Sequence, residues 1–143
     1  MANKVQQERV SKWVTKWKDR LLLDGWGITV QYKAEDQQGE RSDTEVTLTA
    51  AEVVVDHRYR EARIIIYPVF FTRPIGYQRS TIVHEIMHIA TDPVKMALDT
   101  ANRRGVITDK RRDDVLEGVT EYFTKVLFRA YARTNKSLDN YHL

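Results

Sequence analysis

The chain is organised around one short stretch, Thr81-Ile82-Val83-His84-Glu85-Ile86-Met87-His88-Ile89-Ala90. Residues four apart lie on one face of an α-helix, about one turn apart, so His84 and His88 can offer two imidazoles to one metal ion. Glu85 follows the first histidine, where its carboxylate can take a proton from an attacking water and later return it to a leaving amine. The stretch therefore predicts a metal site that carries its own general base.

The surroundings of the two histidines favour an active-site helix over a coincidental match. A His-Glu-x-x-His pattern is expected by chance in on the order of a few chains per thousand of this length. No Pro or Gly interrupts residues 78–91, and the neighbours of the ligand positions are apolar. These neighbours are Val83, Ile86, Met87, Ile89 and Ala90. We therefore predict a catalytic zinc site, with one Zn²⁺ per chain.

A second helical stretch carries the candidates for a third ligand. Catalytic zinc usually takes three protein ligands and leaves the fourth position to water. Glu117 and Glu121 lie one turn apart on one face of the stretch Val115-Leu116-Glu117-Gly118-Val119-Thr120-Glu121-Tyr122-Phe123. Two carboxylates so close on an apolar helix need a positive partner, which a metal ion and a ligating histidine would supply. The residues alone leave open which carboxylate binds the metal.

In these two pieces the chain resembles the gluzincin branch of zinc metallopeptidases, whose His-Glu-x-x-His helix is followed by a glutamate helix with the pattern Glu-x-x-x-Asp. It looks closest to the small single-domain minigluzincins and to phage-type metallopeptidases, and the resemblance covers about residues 67–128. It implies that Glu117 is the third ligand. Glu121 stands where the family has an aspartate that hydrogen-bonds the outer nitrogen of the first histidine, here His84. Glutamate at this position is a departure from the family pattern.

Composition bounds the class of protein. The 143 residues fit one domain, and we predict a single metallopeptidase domain over residues 1–143. Cysteine is absent, which excludes thiolate ligands and fits a reducing compartment. No apolar run reaches the length of a membrane span, and residues 1–8 are polar, so we expect no membrane contact and a cytoplasmic location. The modest excess of 23 basic over 20 acidic residues does not by itself indicate nucleic-acid binding.

The periodicity of the chain predicts an α+β fold. Residues 3–24 have the apolar spacing of an amphipathic helix, and its Trp13 and Trp17 are expected in the core. Alternation then predicts strands at 28–32, at 45–55 with an irregularity near Ala50, and at 62–67, while 34–44 is expected to be a polar loop. The predicted order is an N-terminal helix, a small three-stranded mainly antiparallel sheet, the motif helix, and a C-terminal glutamate helix with a wide apolar stripe.

The third strand is expected to align the substrate. Pro68 cannot donate a ladder hydrogen bond, which suggests an edge strand or a strand end. In the gluzincin-like plan such an edge pairs with an extended peptide, so we predict substrate contacts at Ile64, Ile65, Ile66 and Tyr67. The following Phe70 and Phe71 could line a specificity pocket, but a place in the core is favoured.

Several polar residues remain open by sequence. Tyr77, Tyr122 and Tyr131 are equal candidates to donate to a developing oxyanion. His57 is expected to be solvated in a charged turn, and His142 to belong to a free tail, although it could fold back onto the metal.

The expected function is hydrolysis of peptide bonds in a peptide or protein substrate, with His84, His88 and Glu117 as metal ligands and Glu85 as general base. Two alternatives stay open: a regulatory protease of a mobile element that cuts one partner protein, and a basic nucleic-acid-binding module with a vestigial metal motif. The sequence does not indicate the oligomeric state.

Overall fold

A computed structural model describes the backbone of residues 2–41 and 46–134, and their side chains except at 40, 41, 46 and 131–134. The predicted α+β class is confirmed. The elements in chain order are α1 (Lys4–Arg20), β1 (Gly27–Tyr32), β2 (Gln37–Arg41), β3 (Val46–Thr49), β4 (Ala51–Asp56), β5 (Glu61–Ile66), a 3₁₀-helix (Pro68–Thr72), α2 (Ile75–Ala90), α3 (Asp92–Arg103) and α4 (Asp109–Thr134).

Helix α1 begins at a reciprocal cap and packs its apolar face into the core. The Asn3 side chain accepts from the Gln6 backbone N–H, and the Gln6 side chain accepts from the Asn3 backbone N–H, both at 2.9 Å. These bonds satisfy donors that the first helical turn would otherwise leave unpaired. Trp13 and Trp17 are 1% and 2% exposed, which confirms their predicted place in the core.

The three-stranded sheet has the order β1-β5-β4 and is mixed. β5 pairs antiparallel with β4, as expected across the tight turn that joins them, but it pairs parallel with β1. The prediction of a mainly antiparallel sheet is therefore wrong for one of the two pairings. A parallel pair needs a long connection, and residues 33–60 supply one.

The prediction that Ile64, Ile65, Ile66 and Tyr67 form a substrate-binding edge is wrong. β5 is the central strand, and its backbone pairs with β1 on one side and β4 on the other. The Tyr67 N–H continues this pairing by donating to the Ala50 carbonyl at 3.0 Å. Pro68 marks the end of the strand, where the ladder stops.

The outer edge of the sheet next to α2 belongs instead to β4. Among the described strands, only β5 pairs with β4, so the opposite backbone edge of β4 is available to another extended chain.

A second, two-stranded sheet was not predicted. β2 and β3 pair antiparallel with an irregularity between Gln38 and Arg41, in a segment where the sequence predicted a loop over 34–44. The predicted strand 45–55 is divided at Ala50: β3 joins β2, while β4 joins β5. The predicted irregularity is therefore the point where the chain passes from one sheet to the other. Positions 42–45 of these predicted segments lie outside the described residues.

Helix α4 packs on α2 through a narrower and more polar face than predicted. Thr120 and Thr124 are 0% and 3% exposed, and Leu127 and Phe128 pack against the main core further along the helix. Two members of the predicted apolar stripe, Phe123 and Val126, are exposed instead. Within this face, the small hydroxyl-bearing side chain of Thr120 contacts the second histidine of α2, His88.

Phe70 belongs to the core rather than to a pocket. It is fully buried in the 3₁₀-helix, and its ring contacts the Phe71 ring edge-on at a centroid distance of 5.0 Å. Ile64, Ile82 and Ile86 are members of the same buried cluster.

We expect Phe70→Ala to lower the free energy of unfolding by roughly 3–5 kcal/mol, because it leaves a cavity in a buried cluster. Phe123→Ala removes the same side chain from a position that is 45% exposed and should cost much less. Urea unfolding of both variants measures the difference. Equal losses would contradict a core role for Phe70.

Candidate metal centre

Helix α2 presents His84 and His88 on one face, as their spacing predicts. Their Nε2 atoms lie 3.2 Å apart, and the two rings meet edge-on at a centroid distance of 4.8 Å. Each side chain is 18% exposed. Burial, followed by the neighbouring His84, lowers the pKa of His88 despite the opposing effect of Glu117. The lowered pKa favours the neutral imidazole, the form that can bind a metal.

Helix α4 brings Glu117 to the same point. Its Oε1 atom lies 2.9 Å from His84 Nε2, and its Oε2 atom lies 3.4 Å from His88 Nε2. The ligand atoms of the three residues all lie within 4.8 Å of one another, so they form a group that could hold a metal ion. These are the three residues that the motif and the gluzincin resemblance indicate as ligands.

Glu121 lies against the other side of the first histidine, as the resemblance implies. Its Oε2 atom is 3.2 Å from His84 Nδ1, and its Oε1 atom is 3.1 Å from Lys125 Nζ. A carboxylate accepts hydrogen bonds, so Glu121 favours a hydrogen on His84 Nδ1, the tautomer that leaves the Nε2 lone pair for a metal. The longer side chain of glutamate therefore reaches the position that aspartate occupies in the family.

Thr120 is a contact that the sequence analysis missed. Its Oγ1 atom lies 3.3 Å from His88 Nδ1. Thr120 falls three residues after Glu117 and one before Glu121, so its helical position placed it near the site. A single threonine forms no recognisable spacing pattern, so its helical position between Glu117 and Glu121 was the only available signal.

Glu85 is buried beside the group of three. It is 7% exposed, and its carboxylate has no hydrogen-bond partner among the described residues. Burial, then the negative charges of Glu117 and Glu52, raises the pKa of Glu85 to about 8. A carboxylate with a pKa near neutrality can both accept and return a proton at physiological pH.

Glu52 reaches the site from strand β4. The Tyr67 hydroxyl donates to Glu52 Oε1 at 2.7 Å, and burial together with this carboxylate raises the pKa of Tyr67 to about 12. Tyr67 is therefore a buried donor that holds Glu52 rather than a residue of an open edge.

The group lies in a groove between α2, α4 and β4. Its two parts measure about 420 Å³ and about 350 Å³ and share Ala51, His84, Glu85 and Glu117. A cavity of about 690 Å³ lies along α1, and the described residues that line it all belong to that one helix.

The groove separates the tyrosine candidates. Tyr77 lines its second part and is 51% exposed. Tyr122 is 65% exposed and is not among the described residues that line the groove. The side chain of Tyr131 and all of His142 lie outside the described part of the chain.

His57 is only partly the solvated side chain that was predicted. Its side chain is 51% exposed, yet Nδ1 contacts the carboxylate of Asp92, whose side chain is 3% exposed. His57 follows the last residue of β4, away from the group of three.

Gly118 has no structural role at the metal group. A Cβ atom built on Gly118 would meet nothing within 4 Å, so neither a close approach to a metal nor tight packing requires glycine there.

The chain matches no protein-family model, no curated protein and no solved structure. Among the described residues, no helix has the length and apolar character needed to cross a membrane.

We expect Glu117→Ala to weaken Zn²⁺ binding more than Glu121→Ala does. The first change removes a ligand oxygen, while the second removes a hydrogen bond to His84, a loss typically worth about 10- to 100-fold in affinity. Gly118→Ala is the matched control on the same helix and should leave affinity unchanged. Competition with a chelator measures all three variants, and a greater loss in Glu121→Ala would reverse the assigned roles.

In the metal-free protein, we expect stability to fall as the pH rises from about 4.5 to about 8. The raised pKa means that folded Glu85 keeps a proton that the unfolded chain releases, so folding is favoured at low pH and this advantage is lost through the folded pKa. The slope is at most about 1.4 kcal/mol per pH unit. Glu85→Gln has no titrating group at this position. The free energy of unfolding of this variant, measured with urea, should therefore rise relative to that of the unchanged chain as the pH increases. A difference that does not vary with pH would contradict the shift.

Proposed function

We propose that this protein is a zinc-dependent metallopeptidase that cleaves peptide bonds within an extended chain. The observation that carries the proposal is the convergence of His84, His88 and Glu117 beside the buried carboxylate of Glu85. Ligands and a free base side by side are the combination that metal-assisted hydrolysis requires.

The donor set and its spacing fit zinc. Two imidazole nitrogens and a carboxylate, with no thiolate, are one of the ligand sets of catalytic zinc. For bonds of about 2.0–2.1 Å in a tetrahedral arrangement, neighbouring ligand atoms should lie about 3.3 Å apart. The two histidine Nε2 atoms lie 3.2 Å apart, one Glu117 oxygen lies 2.9 Å from His84 Nε2, and the other Glu117 oxygen lies 3.4 Å from His88 Nε2. When bound, zinc supplies Lewis acidity that polarises the scissile carbonyl and acidifies water beside it.

Glu85 acts as the proton carrier of the reaction. Its unpartnered carboxylate takes a proton from the attacking water and delivers it to the leaving amine. Burial keeps its pKa close to neutrality, and the low local polarity strengthens its interaction with charges that develop nearby.

The outer edge of β4 takes the role first expected of β5. An extended peptide that pairs with this edge lies along the groove and passes His84 and Glu85. Because the groove continues on both sides of the metal group, the peptide can extend in both directions, which favours internal cleavage. Of the two tyrosine candidates whose side chains are described, Tyr77 lines the groove and is the one we assign to donate to the developing oxyanion.

We expect Glu85→Gln to keep zinc while peptide turnover falls by roughly 10²–10⁴, the range for loss of a general base. The substitution preserves volume and removes only the proton-accepting group. Glu61→Gln makes the same change at an exposed position and serves as the control. Turnover is measured on a library of internally quenched peptides, and zinc by metal analysis.

Two results would overturn the proposal. Full turnover in Glu85→Gln would show that another group activates water. Failure of the protein to bind zinc after loading and removal of excess metal would exclude zinc hydrolysis altogether.

A further inference from the structure

The second histidine of the motif has a buried partner whose position is unlike that of Glu121. Thr120 is 0% exposed, lies on the face of α4 that meets α2, and places Oγ1 at 3.3 Å from His88 Nδ1. The hydroxyl is therefore excluded from water, and its hydrogen bonds must be made within the protein.

The hydrogen of this hydroxyl has an acceptor within α4. Thr120 Oγ1 donates to the Leu116 carbonyl at 2.8 Å, the bond that a helical threonine forms with the preceding turn. A hydroxyl has one hydrogen and two lone pairs, so while its hydrogen points to Leu116 the side of Oγ1 that faces His88 accepts. The nearby Thr91 hydroxyl does not change this, because it donates to the Met87 carbonyl at 2.9 Å.

The acceptor determines the tautomer of His88. Nδ1 must carry the hydrogen that Thr120 accepts, and a neutral imidazole has only one N–H. Nε2 then keeps its lone pair, on the side of the ring where His84 Nε2 and Glu117 lie. This is the form and orientation that a metal ligand needs.

A neutral acceptor suits this position better than a carboxylate would. Glu85 and Glu117 already bring two acidic groups to the site, and another charge at a fully buried position would carry a large desolvation cost. Glu121 differs, because its side chain is 48% exposed and its second oxygen contacts Lys125.

We propose that Thr120 is a positioning residue that holds His88 in the Nδ1–H tautomer, with Nε2 ready to bind the metal. The inference rests on the metal-binding part of the proposed function and does not depend on peptide hydrolysis.

Three variants separate this role from simple packing. Thr120→Val keeps the shape and removes the acceptor, while Thr120→Ser keeps the hydroxyl and removes a methyl group. Thr124→Val is the matched control, because Thr124 is 3% exposed and donates to the Thr120 carbonyl at 2.7 Å without contacting a histidine of the metal group. We expect Thr120→Val to weaken Zn²⁺ binding by about 10- to 100-fold in chelator competition, and the other two to remain within a few-fold of the unchanged chain.

A second measurement reports the tautomer directly. In metal-free protein, the imidazole ¹⁵N chemical shifts of His88 should indicate the Nδ1–H form in the unchanged chain and in Thr120→Ser, and a mixture of tautomers in Thr120→Val. Unchanged tautomer and affinity in folded Thr120→Val would overturn the inference, and so would equal affinity losses in Thr120→Val and Thr124→Val. If the unchanged chain binds no zinc, the proposed function fails, while the ¹⁵N shifts still decide the role of Thr120.

Discussion

The structure depends on the close approach of two helices. His84 and His88 belong to α2 and Glu117 to α4, so the ligand atoms converge only if the helices cross at a fixed distance and rotation. Side chains as small as threonine allow such an approach, and Thr120 is the fully buried member of the α4 face nearest to His88. The α1 tryptophans Trp13 and Trp17 share one continuous core with Ile64 and Ile66 of β5.

The sequence was most informative where a fixed spacing has one structural meaning. Spacings of three and four residues predicted α1 and α2, and the pair Glu117 and Glu121 predicted the meeting of the second helix with the first. Strand pairing was harder to predict, because local periodicity does not indicate which strands become neighbours. The run Ile64, Ile65 and Ile66 did contain a usable signal: three consecutive apolar residues indicate a strand covered on both faces, which is typical of the centre of a sheet. Proline cannot donate a ladder hydrogen bond, so Pro68 fits an edge strand or a strand end, and the sequence alone does not distinguish the two.

Several acidic side chains lie close together at the site, and this lowers the stability of the fold. Burial, followed by the negative charges of Glu117 and Glu52, raises the pKa of Glu85 in the groove that these three residues line. A domain without a function at this position would gain stability from apolar side chains there. The surrounding core of tryptophan, phenylalanine and isoleucine side chains is what allows the fold to tolerate the unfavourable group.

The contact between His57 and Asp92 has a mechanical consequence. His57 directly follows β4, and Asp92 begins α3 directly after the end of α2, so one side-chain pair ties the far end of the groove wall to the far end of the helix that bears the histidines. The contact therefore links the C-terminal end of β4 to the C-terminal end of α2. Because β4 is also paired with β5 along its length, a widening of the groove that kept this contact would rotate α2 against the sheet as a whole rather than slide it along β4.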